Sequence, residues 1–191
     1  MRLGILLLTA LLIITGCQKK GTKKETNATV QKSVVKPAPK PIQKDFILKD
    51  MNGKSVSLHI EDKTIDSNAS KKITMFFFFT TWCPSCKAEA PELAKVLKTH
   101  PHNVQIFGIL LDKPNNIEKF LTLEGVKFFV STNYEENNRL AKRIYAQMHI
   151  STRDMPIPLV VMYVDGKYFI HYLGAAPFEM IESDIKNALG E

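Results

Sequence analysis

The chain has 191 residues, 45% of them apolar, enough for one domain with a core and an appendage. Its formal charge of +7 is concentrated at one end: residues 18–44 carry eight lysines and one glutamate, Arg2 adds one more, and from Asp45 onward 17 basic side chains face 18 acidic ones. A nearly neutral folded part argues against nucleic acid as a partner, since a nucleic-acid binder carries its basic patch on the folded domain, and three cysteines are too few for a disulfide scaffold.

Met1 and Arg2 form a minimal positive start, and residues 3–14 are an apolar run too short to span a bilayer. The run ends in Ile14-Thr15-Gly16-Cys17. That stretch resembles the lipobox of bacterial lipoproteins, where a small residue precedes the cysteine that is lipidated and becomes the new N-terminus. Residues 1–16 then read as a signal peptide and Cys17 as the lipidation site, against the alternative of an ordinary signal peptide with a chance cysteine. More than one acyl chain on one cysteine gives stable anchoring. Residues 17–44 are rich in Lys, Pro and Thr and cannot bury enough surface to fold, so they read as a disordered tether. Pro37, Pro39 and Pro41 stiffen its far end towards polyproline II. Such a coil reaches about 25–30 Å from a membrane. Its lysines suit anionic head groups, or simply keep the spacer soluble and extended. The expected location is the bacterial cell envelope, facing the periplasm or extracytoplasmic space.

The domain, residues 45–191, opens with short strand-like runs at 45–48 and 55–58, separated by the turn signal Asn52-Gly53. Residues 73–79 form a continuous apolar run, as expected for a strand buried on both faces. A helical pattern runs from Pro84 to about Thr99, with Leu93, Val96 and Leu97 on one side. A buried strand follows at 104–111, and Asn115 or Asn116 is placed to cap a helix running to Glu124. Residues 126–130 read as a strand and 135–146 as a helix. Strands at 159–164 and 167–173 flank the hairpin signal Asp165-Gly166. Pro177 precedes a last amphipathic helix to Leu189. This order predicts a central mixed sheet with helices on both faces, with an N-terminal hairpin added.

The chemistry lies in Trp82-Cys83-Pro84-Ser85-Cys86-Lys87, directly after the run Phe76, Phe77, Phe78 and Phe79. A Cys-x-x-Cys pair alone fits zinc or redox work. Structural zinc needs four ligands, there is no second cysteine pair, and His59, His100, His102, His149 and His171 are scattered without zinc spacing. Redox chemistry fits the position, because the pair lies where a buried strand turns into a helix. Cys83 takes the N-cap and Pro84 the first helical position, where a missing N–H costs nothing. The amides of Ser85 and Cys86 and the helix dipole then stabilise a Cys83 thiolate. Cys83 is therefore the expected exposed nucleophile, with Cys86 shielded one turn inward as the resolving thiol. Trp82 flanks the pair on the docking surface. The four phenylalanines read as core.

The longer stretch from Trp82 through Glu89 and Pro91 to Leu93 resembles the thioredoxin superfamily, and within it the TlpA/ResA-like membrane-tethered thiol–disulfide oxidoreductases. The early Asp45-Phe46 and Leu48, then Gly53-Lys54, Val56 and Leu58, match that branch as well. The resemblance implies a thioredoxin-like fold and no cofactor beyond a Cys83–Cys86 disulfide. Several such proteins reduce apocytochrome c before haem attachment. Glu89 falls where the branch carries a glutamate near the cysteines, able to take or relay the Cys86 proton. Its other reading is a first- or second-turn glutamate complementing the helix dipole. Pro91 should kink the helix. The resemblance also implies a cis-proline opposite the cysteines, with the backbone beside it, here Ile157, pairing with substrate. Counting back from Asp165-Gly166 favours Pro158 over Pro156; Leu159 stands where the family often has threonine.

The expected function is thiol–disulfide exchange with envelope proteins, as a reductase of apocytochrome c or of other clients, resupplied by a membrane thiol donor. The opposite direction, oxidase or isomerase, depends on thiolate and disulfide stabilities that Pro84 and Ser85 influence but do not fix. A copper-binding chaperone is the alternative of another class, but copper carriers of related fold space the cysteines by three and add a histidine. A peroxidase would need its reactive cysteine in a different setting. Nothing calls for an oligomer, so a monomer is expected.

Overall fold

The computed structural model describes residues 44–191; the stretches read as signal peptide and tether, Cys17 included, lie outside the described residues up to residue 43. The elements are β1 (Asp45–Lys49), β2 (Ser55–Glu61), β3 (Thr64–Ser67), β4 (Ile73–Phe79), α1 (Pro84–Thr99), β5 (Val104–Leu110), α2 (Ile117–Leu123), β6 (Phe129–Ser131), α3 (Tyr134–Gln147), β7 (Leu159–Val164), β8 (Lys167–Leu173) and α4 (Phe178–Leu189). They build one sheet of order β1-β2-β3-β8-β7-β4-β5-β6. Strands β4, β5 and β6 run parallel, while β7 lies antiparallel to β4 and β8 antiparallel to β7. This is a thioredoxin-like α/β fold with helices on both faces, as expected.

Strand β4 is buried at every position because both of its faces are covered. Alternation sends Phe77 and Phe79 to one side, with Cys86, Leu93 and Val96 of α1, Phe120 of α2 and Ile181 of α4. Phe76 and Phe78 face the other side, with Leu140, Ile144 and Tyr145 of α3. The added strands complete that second core: Phe46, Leu48, Val56 and Leu58 close over α3.

Polar bonds fasten this cover. The Ile47 amide donates to Glu136 on α3 at 3.0 Å, and the Thr132 amide donates to the Lys49 carbonyl at 2.8 Å. The buried Asn137 amide group donates to the Leu110 and Ser131 carbonyls at 2.9 and 2.8 Å. Asp165 and Gly166 both have positive φ, as a two-residue hairpin turn requires. A Cβ on Gly166 would lie 2.6 Å from the Ile65 carbonyl oxygen, so β3 can pass only because this residue is glycine.

Three expectations are adjusted. Strand β3 was not foreseen: Thr64–Ser67 buries only Ile65 and carries no alternation to see. Strand β6 starts at Phe129 rather than Val126, because the Val126 amide donates to the Leu121 carbonyl and closes the end of α2. A short 3-10 turn, Pro114–Asn116, precedes α2, and Asn116 makes no side-chain cap bond there.

Candidate active site

Cys83 is the N-cap of α1, with extended backbone (φ −75°, ψ 117°) and Pro84 in the first turn. Its Sγ accepts a hydrogen bond from the Cys86 amide at 3.1 Å. The expected second donor, the Ser85 amide, makes no such bond. Cys83 and Cys86 form a disulfide with their Cα atoms 5.2 Å apart. Cys86 is fully buried; Cys83 is 5% exposed, covered more closely than an open nucleophile. Trp82 beside it is 67% exposed and Pro84 and Ser85 are exposed as well. Helix α1 continues through Pro91, which leaves the Lys87 carbonyl without its usual amide partner.

The loop into Cys83 is pinned from the side. Asp112, just beyond β5, accepts from the Thr81 hydroxyl at 2.6 Å and from the Thr81 amide at 3.2 Å. The Cys83 amide turns back to the Thr80 carbonyl at 3.4 Å. Sequence reasoning missed Asp112, because its partner lies 31 residues away.

The Ile157–Pro158 peptide bond is cis, and it is the only cis bond among the described residues. Leu159 pairs with Phe78 across β7 and β4, so Pro158 falls level with Phe79, at the sheet end from which the cysteine loop departs. Pro158 is buried and Ile157 half-buried against the α1-side core. Pro156 instead offers its carbonyl to the Tyr145 hydroxyl at 2.8 Å.

Glu89, one turn beyond Cys86, is fully buried. Its Oε2 accepts from the Ala176 amide at 2.6 Å, and its Oε1 has no hydrogen-bond partner among the described residues. Burial pushes its carboxyl up from 4.5 to about 7; the Ala176 amide works against that rise and the nearby Glu92 carboxylate adds to it. A buried carboxyl of this kind exchanges a proton near neutrality. Cys83, Cys86, Ala90, Tyr172 and Ala176 share the surrounding core.

No group of three or more His, Cys, Asp or Glu side chains among the described residues is arranged to hold a metal. His171 bonds the Tyr168 hydroxyl at 2.7 Å and pairs in register with Val161, and His149 follows α3. Neither is grouped with the cysteines among the described residues.

The AhpC/TSA family's sequence profile matches residues 39–154. The chain belongs to the AhpC/TSA family. It is also 33% identical to thioredoxin H5 of Arabidopsis thaliana over 69 residues, which are 36% of this chain and 58% of that protein. Thioredoxin H3 of the same plant is 30% identical over 82 residues, 41% of this chain and 69% of that one. The aligned stretch is thus less than two thirds of the first of these relatives. A putative thiol:disulfide interchange protein DsbE from Chlorobium tepidum superposes with a TM-score of 0.56 at 20% identity, covering 76% of this chain and 94% of that one. That likeness is one of fold. Fold, family and cysteine pair together are those of a thioredoxin-like protein-disulfide oxidoreductase. No described helix is long and apolar enough to cross a membrane.

Proposed function

We propose that this AhpC/TSA-family protein is a lipid-anchored extracytoplasmic oxidoreductase that reduces disulfides in envelope proteins, apocytochrome c among them. One observation carries the reading: a cysteine sulfur at a helix N-cap receives the Cys86 amide, and a neutral-range buried carboxyl sits one turn further on. The Cys83 thiolate attacks a client disulfide, forms a Cys83–client bond, and breaks the client's S–S bond, releasing its second sulfur as a thiolate that takes a proton from water. Cys86 passes its proton to Glu89 and attacks Cys83 Sγ, which forms the Cys83–Cys86 disulfide and expels the client's remaining sulfur as a thiolate; that sulfur takes up the proton Glu89 then releases. Two electrons leave the protein, and a membrane thiol donor restores them.

Trp82, Pro84, Ser85, Ile157 and Pro158 supply the surface on which the client chain lies. Lipidation at Cys17 holds the domain near the membrane, with residues 17–44 as spacer. The reducing direction rests on the resemblance to tethered reductases. The test is Cys86→Ala in the anchored protein. It should accumulate Cys83-linked clients in envelope extracts, and Cys83→Ala should accumulate none. Equal yields from both variants, or a reduced Cys83 that titrates like a free thiol, would reject the proposal.

A further inference from the structure

We infer that the groove running from Trp82 along α1 takes an acidic segment of the client polypeptide. The inference rests on the exchange reading above and specifies the substrate class.

The groove lies between α1 on one side and α2 with its following loop on the other. It comprises two hollows that we take together: one beside the cysteine loop is lined by Trp82, Lys87, Lys119 and Leu123, and a second, further along α1, by Ala94, Lys98 and Lys127. Glu124, in the near part, is its one acidic lining residue among the described residues. This is a strong segregation in a domain whose charges nearly cancel as a whole from Asp45 onward. Lys87, Lys98, Lys119 and Lys127 have no carboxylate within ion-pair distance among the described residues. Lys95, the fifth lysine of this face, is already engaged by Glu179 at 3.7 Å and by the Phe178 ring. The other four therefore stand along the groove as unanswered positive charge.

The mouth adds an apolar element. Trp82 is 67% exposed and Leu123 68%, among the most exposed large apolar side chains described. A segment held here would rest a side chain on these two and lay carboxylates along the lysines. From Lys87 to Lys98 the helix rises about 16 Å, the span of about five extended residues. The recognised stretch therefore begins at the client cysteine and extends about five residues from it. An anionic membrane face is the other macromolecule that lysines attract, but a groove flanking the redox pair favours a chain that must present its disulfide there.

The test uses the full mature protein, reduced, in neutral detergent. Three disulfide peptides differ only in a flank of about five residues, rich in Glu, Ser or Lys, and hydroxyethyl disulfide serves as an uncharged small substrate. Three exposed ion pairs together should favour the Glu flank over the Ser flank by about tenfold in kcat/KM at low salt, and salt at about 0.5 M should erase the preference. Lys98→Glu with Lys119→Glu and Lys127→Glu should invert it, and Gln at the same three positions should abolish it. Both triple variants should reduce hydroxyethyl disulfide at the wild-type rate, which also shows that they fold. The tether is unaltered in them, so attraction by its lysines is common to all arms. Equal rates on the three peptides, or a preference that survives charge reversal, would overturn the inference. It would also fall if the three lysines governed binding to phosphatidylglycerol vesicles but not peptide choice. Failure of the wild type to reduce hydroxyethyl disulfide would instead defeat the exchange reading itself.

Discussion

Glu89→Gln separates what the buried carboxyl does from what its shape does. In the folded protein burial holds the group at about 7 rather than 4.5, and unfolding returns it to the ordinary carboxylate range. Between those values the native state keeps a proton that the unfolded chain has released. Stability therefore falls as pH rises, by about 1.4 kcal/mol per pH unit. The contribution of the protonated carboxyl is complete below about 4.5 and is lost as pH climbs through about 7. Over that interval the loss is about 3 kcal/mol, or about 6–12 °C in Tm for a domain of this size. The glutamine keeps an oxygen for the Ala176 amide but cannot ionise. Urea unfolding of both proteins with the disulfide intact is the assay, because the bonded sulfurs do not titrate. The two should agree below about pH 4 and differ by about 3 kcal/mol above pH 8, the variant being the more stable. Other groups titrate alike in both proteins and cancel in the difference. Parallel pH curves for wild type and variant would show that Glu89 is not held protonated, and the reasoning would fail.

Asp112→Ala removes the bonds that pin Thr81 two residues before Cys83; the cost should be about 1–3 kcal/mol in urea unfolding, with exchange against a small disulfide slowed at least about tenfold by the misplaced loop. Ile144→Ala opens the α3-side core, where the side chain is fully buried, and should cost about 2–5 kcal/mol while the exchange rate of the folded fraction stays at the wild-type value. Gly166→Val should disrupt the β8 turn where it meets β3, since it combines a positive φ of 74° with a clash against the Ile65 carbonyl, and should lower Tm by at least about 5 °C.

The parts of the fold written in local pattern were legible. Residues 159–164 and 167–173 emerge as β7 and β8 with the expected bounds, because Asp165-Gly166 dictates a two-residue turn and the flanking runs have nowhere else to go. Helix α1 likewise spans Pro84–Thr99 as read, since Cys83 and Pro84 mark its start. Counting back from the same turn reached Pro158, at the cis bond. What was not legible depends on contacts made across the chain. Spacing places Glu89 one turn after Cys86 but does not say whether that face meets water or α4. Asp112 is an unremarkable loop aspartate until β5 lies beside β4 and brings it to Thr81. Ile65 alone cannot announce β3, which exists because β2 pairs with it along its length and the β8 turn meets its start.

Glu89 and Glu92 show why α1 carries more than the cysteines. Pro177 begins α4 without an amide to donate or a side chain to cap it, and no side-chain cap bond forms there. Instead Glu89 takes the Ala176 amide and Glu92 takes the Phe178 amide at 3.0 Å, so α1 holds the start of α4 from the side. That grip brings the start of α4 against the buried Glu89. The burial that costs the fold stability above neutral pH is the same burial that makes the carboxylate basic enough to accept a thiol proton at neutral pH. In the proposed mechanism the two cannot be separated. A substitution that let water reach Glu89 would stabilise the protein at high pH and weaken the base by the same free energy, so improved stability there should come with slower resolution by Cys86.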